Sequence, residues 1–188
     1  MADSSSSSSD SAASGMTGSM AMPTRARGAF NDADVAYVQS MIAHCEQLVE
    51  MAELAPGRAS SAKVRDLARE TRASEEAEIA AERSWLRAWG RPESPEMDMG
   101  GMGGMDMEHG DGGMTMSDAE MNKLRNARGA DFDRAYVEAL ISHRGMEADM
   151  SEDVQRTGRN ATVKEQAAMM ATMQRAEVRE LEQLLATL

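Results

Sequence analysis

Several features that constrain other proteins are scarce or missing in this chain. It contains one cysteine, Cys45, so no intramolecular disulfide can form and packing must supply the stability. Aromatic residues make up only 3% of the 188 residues. No apolar stretch approaches the roughly 18 residues that a membrane-spanning helix needs, and the amino terminus lacks the basic and apolar regions of a signal peptide. The net charge of −12 disfavours nucleic acid and anionic membranes as partners and attracts cations.

Motifs of common enzyme classes are also missing. None of the three histidines has a glutamate three residues before it, as the Glu-x-x-His motif of a di-iron carboxylate bundle requires. The sequence contains no Ser-His-Asp order, no phosphate-binding glycine loop, no paired cysteines and no His-Glu-x-x-His zinc signature. We therefore expect a protein that is not an enzyme.

What the chain does contain is an internal repeat. Adding 99 to a residue number maps first-half residues onto identical ones in the second half: Asp34 onto Asp133, Tyr37 onto Tyr136, His44 onto His143, Met51 onto Met150, Val64 onto Val163 and Glu78 onto Glu177. The shift needs no gap over two helices and the loop between them. The sequence therefore predicts two copies of one helical hairpin.

Hydrophobic periodicity and capping signals predict only helices. The expected elements are a helix from Asn31 or Asp32 to about Leu54, stopped by Pro56-Gly57, a helix from about Ser61 to Gly90, a short helix opened by a Ser117–Glu120 capping box and closed by Gly129, a helix from Asp131 or Asp133 to about Gln155, and a last helix opened by a Thr162–Glu165 capping box. We expect an all-α fold, an antiparallel four-helix bundle built from two repeated hairpins.

The same signals divide the chain into four parts. Residues 1–29 form a Ser- and Met-containing tether, residues 30–90 the first hairpin, residues 91–116 a Met- and Gly-rich crossover, and residues 117–188 the short helix with the second hairpin. A Ser-rich tether before a folded domain is typical of mature lipoproteins, so a lipoprotein trimmed of its signal is one expectation. Glu75-Glu76-Ala77-Glu78 and Arg179-Glu180 are interpreted as solvated helix faces, and Trp85 and Trp89 as packing at the hairpin end.

Histidine and methionine carry the functional signal. Met41 lies one helical turn before His44, so the two side chains can close on one ion. Imidazole and thioether ligands together favour Cu(I). The candidate ligands in the bundle are His44, Met41, Met51, Cys45, His143 and Met150. The alternative is that these residues are ordinary core packing, and that Cys45 is a small buried apolar residue.

The crossover strengthens the metal interpretation. Methionine accounts for 19 of the 188 residues. Exposed thioethers in a Gly-rich segment invite oxidation unless they have a purpose. The candidate Cu(I) ligands here are Met97, Met99, Met102, Met105, Met107, His109, Met114 and Met116. A sticky segment for a protein partner is the alternative.

Three stretches resemble the bacterial domain-of-unknown-function family 305. They are residues 30–38, residues 41–52 and Trp85-Leu-Arg-Ala-Trp-Gly90. The second half of the same family is resembled by Phe132–Val137, Ile141-Ser-His143 and Met150. The resemblance implies a ferritin-like bundle exported to the cell envelope, with members that bind copper and contribute to copper tolerance through histidine and methionine.

The chain departs from the family pattern at four positions. Where the family usually has a His-His pair, this chain has His44-Cys45 in the first copy and His143-Arg144 in the second. Where the family usually has a methionine in the second helix of each hairpin, this chain has Glu82 and Leu181. The resemblance then implies that copper binding has shifted toward Cys45 and the crossover.

These observations favour an extracytoplasmic copper-binding protein that captures Cu(I) for buffering, transfer or tolerance. Its expected partners are the metal ion and a protein that donates or accepts copper. A structural or protein-interaction bundle without a functional metal site is the second hypothesis, and a metal-dependent oxidase acting on Cu(I) is the third.

Overall fold

Every regular element of the protein is a helix in the part of the chain that the structure describes. The computed structural model describes residue 23 and residues 26–94 and 115–188. Its helices are α1 (Asp32–Arg58), α2 (Ala62–Trp89), α3 (Asp118–Asn126), α4 (Ala130–Thr157) and α5 (Ala161–Leu185). The all-α prediction is confirmed. None of these helices is long and apolar enough to cross a membrane.

The long helices pack in pairs. Loops of three residues connect α1 to α2 and α4 to α5, and a loop this short returns the second helix antiparallel to the first. The two resulting hairpins meet mainly through α1 and α4. The short helix α3 contacts both α1 and α4. The result is a helical bundle of two hairpins, one formed by α1 and α2 and the other by α4 and α5.

Most predicted helix starts agree with the structure. Asn31 caps α1 and forms a capping box with Asp34, in which Asp34 N–H donates to the Asn31 side chain over 3.0 Å. Ser61 caps α2, and Ser117 forms the predicted capping box with Glu120 at the start of α3. At these starts a short polar side chain accepts a backbone N–H that the helix leaves unpaired.

Four predicted boundaries are wrong. Helix α1 continues through Pro56 to Arg58, because a proline in the last turn removes only one hydrogen bond and Ala59 N–H still reaches the carbonyl of Ala55. Helix α3 ends at Asn126, before Gly129.

Gly129 instead precedes α4, which therefore starts at Ala130. Its φ of +62° suits glycine, and its N–H donates to the carbonyl of Arg58 over 2.8 Å. At α5 the capping residue is Asn160 rather than the Thr162 box, because the Asn160 side chain already accepts the N–H of Val163.

Two repeated aspartates tie the hairpins together. Asp34 of α1 accepts the backbone N–H groups of Arg159 and Asn160, in the loop before α5. Asp133 of α4 accepts those of Ser60 and Ser61, in the loop before α2. Each hairpin thus supplies an aspartate that binds the start of a helix of the other hairpin, and the two aspartates are 99 positions apart.

The interior consists of two apolar clusters and a polar middle. One cluster contains Leu48 and Met51 of α1 with residues from α2, α3, α4 and α5, among them Leu67, Leu124, Phe132, Tyr136 and Leu181. The other contains Met41 and Cys45 with Trp85, Leu86 and Val163. Polar side chains from all four long helices also lie in the interior. We call the following set the polar layer: the buried residues His44, Glu75, Glu78, Glu82, His143, Arg144 and Glu147, with the half-buried Glu177.

The end of the predicted tether packs on the bundle. Ala26 is buried, Phe30 stacks on Trp89, and the indole N–H of Trp89 donates to the carbonyl of Ala26 over 2.8 Å. Trp85, which is fully buried, donates to the carbonyl of Pro23 over 2.7 Å. The expectation that all of residues 1–29 form a tether is therefore wrong for these last residues. The two tryptophans lie at the hairpin end as expected.

Candidate metal centre

His44 of α1 and His143 of α4 face each other in the middle of the bundle. Both side chains are fully buried. Nδ1 of His143 lies 2.8 Å from Nε2 of His44, and the ring centroids are 4.2 Å apart. The same Nε2 of His44 lies 3.2 Å from the carbonyl oxygen of His143 and 3.8 Å from Oε1 of Glu147. The two histidines that the repeat relates are direct neighbours.

The other ring nitrogen of His143, Nε2, is buried without a hydrogen-bond partner among the described residues. Burial, the nearby His44 and the guanidinium of Arg144 lower the pKa of His143 to about 3. The ring is therefore neutral at physiological pH, and neutral imidazole is the form in which histidine binds a metal.

Arg144 occupies the position equivalent to Cys45 and holds three carboxylates. Its guanidinium lies 2.8 Å from Glu75, 2.8 Å from Glu147 and 3.3 Å from Glu177. It is the only lysine or arginine among the buried residues of the described ranges. Burial alone would lower the pKa of Arg144, but the three carboxylates raise it well above its ordinary value. Arg144 is thus a permanent cation built into the polar layer.

The polar layer contains more carboxylates than Arg144 can neutralise. Burial raises the pKa of Glu147 and of Glu177 to about 7, although Arg144 acts in the opposite direction. Burial and the neighbouring glutamates raise the pKa of Glu78 and of Glu82 well above the ordinary range. Each of these last two side chains has one buried carboxylate oxygen without a hydrogen-bond partner in the described structure.

The interpretation of the glutamate run in α2 as a solvated helix face is wrong for two of its three glutamates. The run Glu75-Glu76-Ala77-Glu78 was expected to be a solvated face, but Glu75 and Glu78 are only 1% and 9% exposed. Glu76 alone behaves as expected, in an exposed ion pair with Arg72. Arg179 and Glu180 are exposed, as predicted.

A helical spacing could have revealed these buried acids. The buried residues Val64, Leu67, Thr71, Glu75, Glu78, Glu82 and Trp85 follow one another at intervals of three and four. This is the spacing of a single helix face. The glutamates simply continue the apolar stripe of α2 into the bundle.

Cys45 is fully buried beside the same glutamates. Its sulfur lies in two groups of metal-ligand atoms that are all within 4.8 Å of one another, one with Glu78 and Glu82 and the other with Glu75 and Glu147. Burial, followed by the nearby carboxylates, raises the pKa of the Cys45 thiol well above its ordinary value.

The methionines divide among different surroundings. Met41 is fully buried in the apolar cluster that contains Cys45, whereas Met51 is fully buried in the other cluster. Met150 is half-buried and lines a groove with Tyr37 and Val154. The tyrosine hydroxyl in this region is buried and lies 3.0 Å from the hydroxyl of Ser151.

The crossover is largely outside the part of the chain that the structure describes. The predicted ligands Met97, Met99, Met102, Met105, Met107, His109 and Met114 all lie in residues 95–114, outside the described ranges. Met116 is described: it packs against the apolar cluster around Met51, and its backbone N–H and C=O bond to the side chain of Gln47.

Comparison with known proteins identifies relatives of the whole bundle. Residues 34–185 match the family model described as domain of unknown function DUF305. No curated protein matches the sequence. A DUF305 protein from Streptomyces coelicolor, described as secreted, has 26% sequence identity and a TM-score of 0.70, with 82% of this chain and 93% of that chain covered.

Two further structures show the same fold. A DUF305 fragment from Deinococcus radiodurans has 22% identity and a TM-score of 0.71, with 86% of this chain and all of that chain covered. CopM in its Cu(II)-bound form has 24% identity and a TM-score of 0.66, with 82% of this chain and 96% of that chain covered. CopM has also been solved in Cu(I)-bound and Ag-bound forms.

Proposed function

This chain belongs to the DUF305 family, and we propose that it is an extracytoplasmic copper-binding protein that captures Cu(I) with histidine and methionine for buffering, transfer or tolerance. The single observation that carries the proposal is the buried pair of His44 and His143, whose facing ring nitrogens are 2.8 Å apart. The Cu(I)-, Cu(II)- and Ag-bound forms of CopM, which has the same fold, support copper as the metal, and the proposed thioether ligands favour Cu(I).

The histidine pair needs little movement to hold an ion. Two nitrogens at about 2.0 Å from one metal, with a tetrahedral angle between them, are roughly 3.3 Å apart. The Nδ1 of His143 and the Nε2 of His44 must therefore separate by about half an ångström. Both rings are buried and the pKa of His143 is about 3, so proton competition for that ring is weak at neutral pH.

Methionine completes the proposed capture system. In the bundle, Met41, Met51 and Met150 are the candidate thioether ligands, and Met41 is one turn from His44. The methionines of the crossover, with His109, supply weak and exchangeable sites from which an ion can pass to the histidines or to an acceptor protein. Cys45 is outside this copper set in our proposal, because carboxylates that Cu(I) disfavours surround its sulfur.

One relative supports the proposed location. The Streptomyces coelicolor protein is described as secreted, which supports an extracytoplasmic site for this chain. We further propose that the bundle is a ferritin-like four-helix fold that arose by duplication of one hairpin, and that it acts without catalysing a reaction.

The test is an anaerobic Cu(I) titration against a chromophoric chelator. The variant His44→Gln with His143→Gln is expected to lose the tightest equivalent, because the amide oxygens and protonated nitrogens of glutamine are poor Cu(I) ligands. A second variant replaces the methionines of residues 97–114 with serine, and it is expected to keep the tightest equivalent but lose the weaker ones. Substitution is preferable to deletion through residue 116, because Met116 is hydrogen-bonded to Gln47.

A matched pair of variants tests the methionines of the bundle. Met41→Leu introduces the residue that the second half already has at Leu140, so packing is expected to be retained. Met169→Leu, at a methionine that is 43% exposed, is the control. The copper proposal fails if the histidine double variant, folded as judged by circular dichroism, binds Cu(I) as tightly and with the same stoichiometry as the original chain.

A structural bundle without a metal site is the second candidate function. Arg144 favours it, because this residue fills part of the polar layer with a permanent cation. Absence of any competition for Cu(I) would support this candidate.

A further inference from the structure

The first half of the bundle contains two buried acids, Glu78 and Glu82, that form no ion pair among the described residues. Arg144 forms its ion pairs with Glu75, Glu147 and Glu177. Within the described ranges, no ion pair reaches Glu78 or Glu82.

The repeat shows what is missing. In the second half, Arg144 and Glu177 form an ion pair across α4 and α5. The equivalent residues of the first half, 99 positions earlier, are Cys45 and Glu78, with Glu82 one turn further along α2. The cation at Arg144 therefore has no counterpart at the equivalent position, Cys45. Buried carboxylates are expected to have a partner, a proton or a metal ion.

The ligand atoms around Cys45 are close enough to share one ion. The sulfur of Cys45 and carboxylate oxygens of Glu78 and Glu82 all lie within 4.8 Å of one another. Around a tetrahedral zinc ion, sulfur and oxygen ligands are about 3.5 Å apart. Side-chain movements of about an ångström would bring the three ligand atoms to these distances. One oxygen of each glutamate is buried without a hydrogen-bond partner in the described structure, so each is available to a ligand.

The chemistry of the group selects the ion. Two carboxylates disfavour Cu(I), and a thiolate disfavours Mg²⁺ and Ca²⁺. Zinc accepts sulfur and oxygen together and commonly has three protein ligands with a fourth position open. The alternative set of Cys45 with Glu75 and Glu147 is less suitable, because both of those carboxylates already form ion pairs with Arg144.

We propose that Cys45, Glu78 and Glu82 form a binding site for a divalent cation of borderline softness, with Zn²⁺ as the expected ion. The site is separate from the copper proposal, because it uses neither the imidazoles nor the thioethers. Binding displaces the thiol proton and places a positive charge between the two carboxylates. The first half then has a cation in the polar layer, as Arg144 provides for the second half.

The test uses Co²⁺ as a spectroscopic substitute for zinc on the reduced, metal-stripped full-length protein. One equivalent is expected to give the visible bands of tetrahedral cobalt with a near-ultraviolet thiolate-to-cobalt charge-transfer band, and Zn²⁺ is expected to displace it. Cobalt bound by exposed acids gives neither feature, so its binding without these bands would overturn the proposal.

Three variants identify the ligands. Cys45→Ser is expected to remove the charge-transfer band, and Glu78→Gln and Glu82→Gln are each expected to weaken Zn²⁺ binding more than about 100-fold, since loss of an outer-shell partner alone costs 10–100-fold. The glutamine variants remove buried charge, so their apo forms are expected to fold. Glu76→Gln, on the exposed face of the same helix, is the matched control.

The outcomes separate this site from the copper site. His44→Gln with His143→Gln is expected to lose Cu(I) but keep the cobalt bands, whereas Glu82→Gln is expected to do the reverse. If Cys45→Ser and Glu82→Gln bind Zn²⁺ as tightly as the original chain, the proposed site is wrong, whatever the copper titration shows.

Discussion

The two halves of the polar layer differ in how they treat buried negative charge. Arg144 of the second half lies 2.8 to 3.3 Å from Glu147 and Glu177 of the same half and from Glu75 of the first half. In the first half, the equivalent residue is Cys45, which can release a proton but carries no positive charge. One backbone position, repeated in one fold, can thus supply either a permanent cation or, in the zinc site proposed above, a ligand for an exchangeable cation.

The histidines show the opposite behaviour, because the repeat keeps both. His44 and His143 are buried against each other, so each half supplies one ring to a shared pair. The pair therefore belongs to the interface of the hairpins, and the Cys45 and Arg144 environments distinguish the two sides of that interface.

The largest loss of stability is expected from replacing Arg144. Arg144→Met leaves buried carboxylates without their cation, and we expect the free energy of unfolding at pH 8 to fall by about 3–5 kcal/mol. Urea denaturation followed by circular dichroism measures this. Arg175→Met is the control, since Arg175 is exposed and its pairs with Asp149 and Glu152 are worth less than about 1 kcal/mol. Equal stability of Arg144→Met and the original chain would show that the network contributes nothing.

The pH dependence of stability measures the excess acid in both halves. Glu147 and Glu177 have a pKa of about 7 in the folded protein against an ordinary value of 4.5, so the folded state holds protons that the unfolded chain has lost. Their contribution is complete below pH 4.5 and disappears as the pH rises through 7. His143, with its pKa lowered to about 3, acts oppositely below pH 6.5.

We therefore expect the metal-free protein to be less stable at pH 8.5 than at pH 5.5, by on the order of a few kcal/mol. Thermal and urea unfolding at the two pH values measure the difference. Glu177→Gln in the second half and Glu78→Gln in the first are each expected to flatten the dependence, and Glu76→Gln is expected to leave it unchanged. A stability that increases from pH 5.5 to 8.5 would contradict the assignment of these protons.

At Asp34 and Asp133 the two halves are expected to behave alike, because each aspartate binds backbone N–H groups of the other hairpin. Asp34→Asn and Asp133→Asn each weaken two backbone N–H bonds that the other hairpin donates to a buried carboxylate, so each is expected to cost about 1.5–3 kcal/mol. Asp32→Asn, whose side chain is 93% exposed, is expected to change stability by less than about 0.5 kcal/mol. Denaturant unfolding measures all three, and a large difference between the first two would show that the repeat is not equivalent at this position.

The sequence was sufficient to predict the helices and to show that histidine and methionine recur 99 residues apart. Helical periodicity and capping residues such as Asn31, Ser61 and Ser117 act over a few residues, so local chemistry is sufficient to read them. The helix end at Pro56 was misplaced, because a proline in a final turn is tolerated when the next residues still bond to that turn.

How the buried charges are compensated is visible only in the tertiary structure. The spacing of Glu75 and Glu78 places them on the buried face of α2, but whether a carboxylate is tolerated there is decided by the helices that pack over it and by the cations within reach. Arg144 alone is 2.8 Å from both Glu75 and Glu147, residues that are far apart in the chain. Charge compensation in a protein interior depends on distances across helices, and a one-dimensional pattern does not contain them.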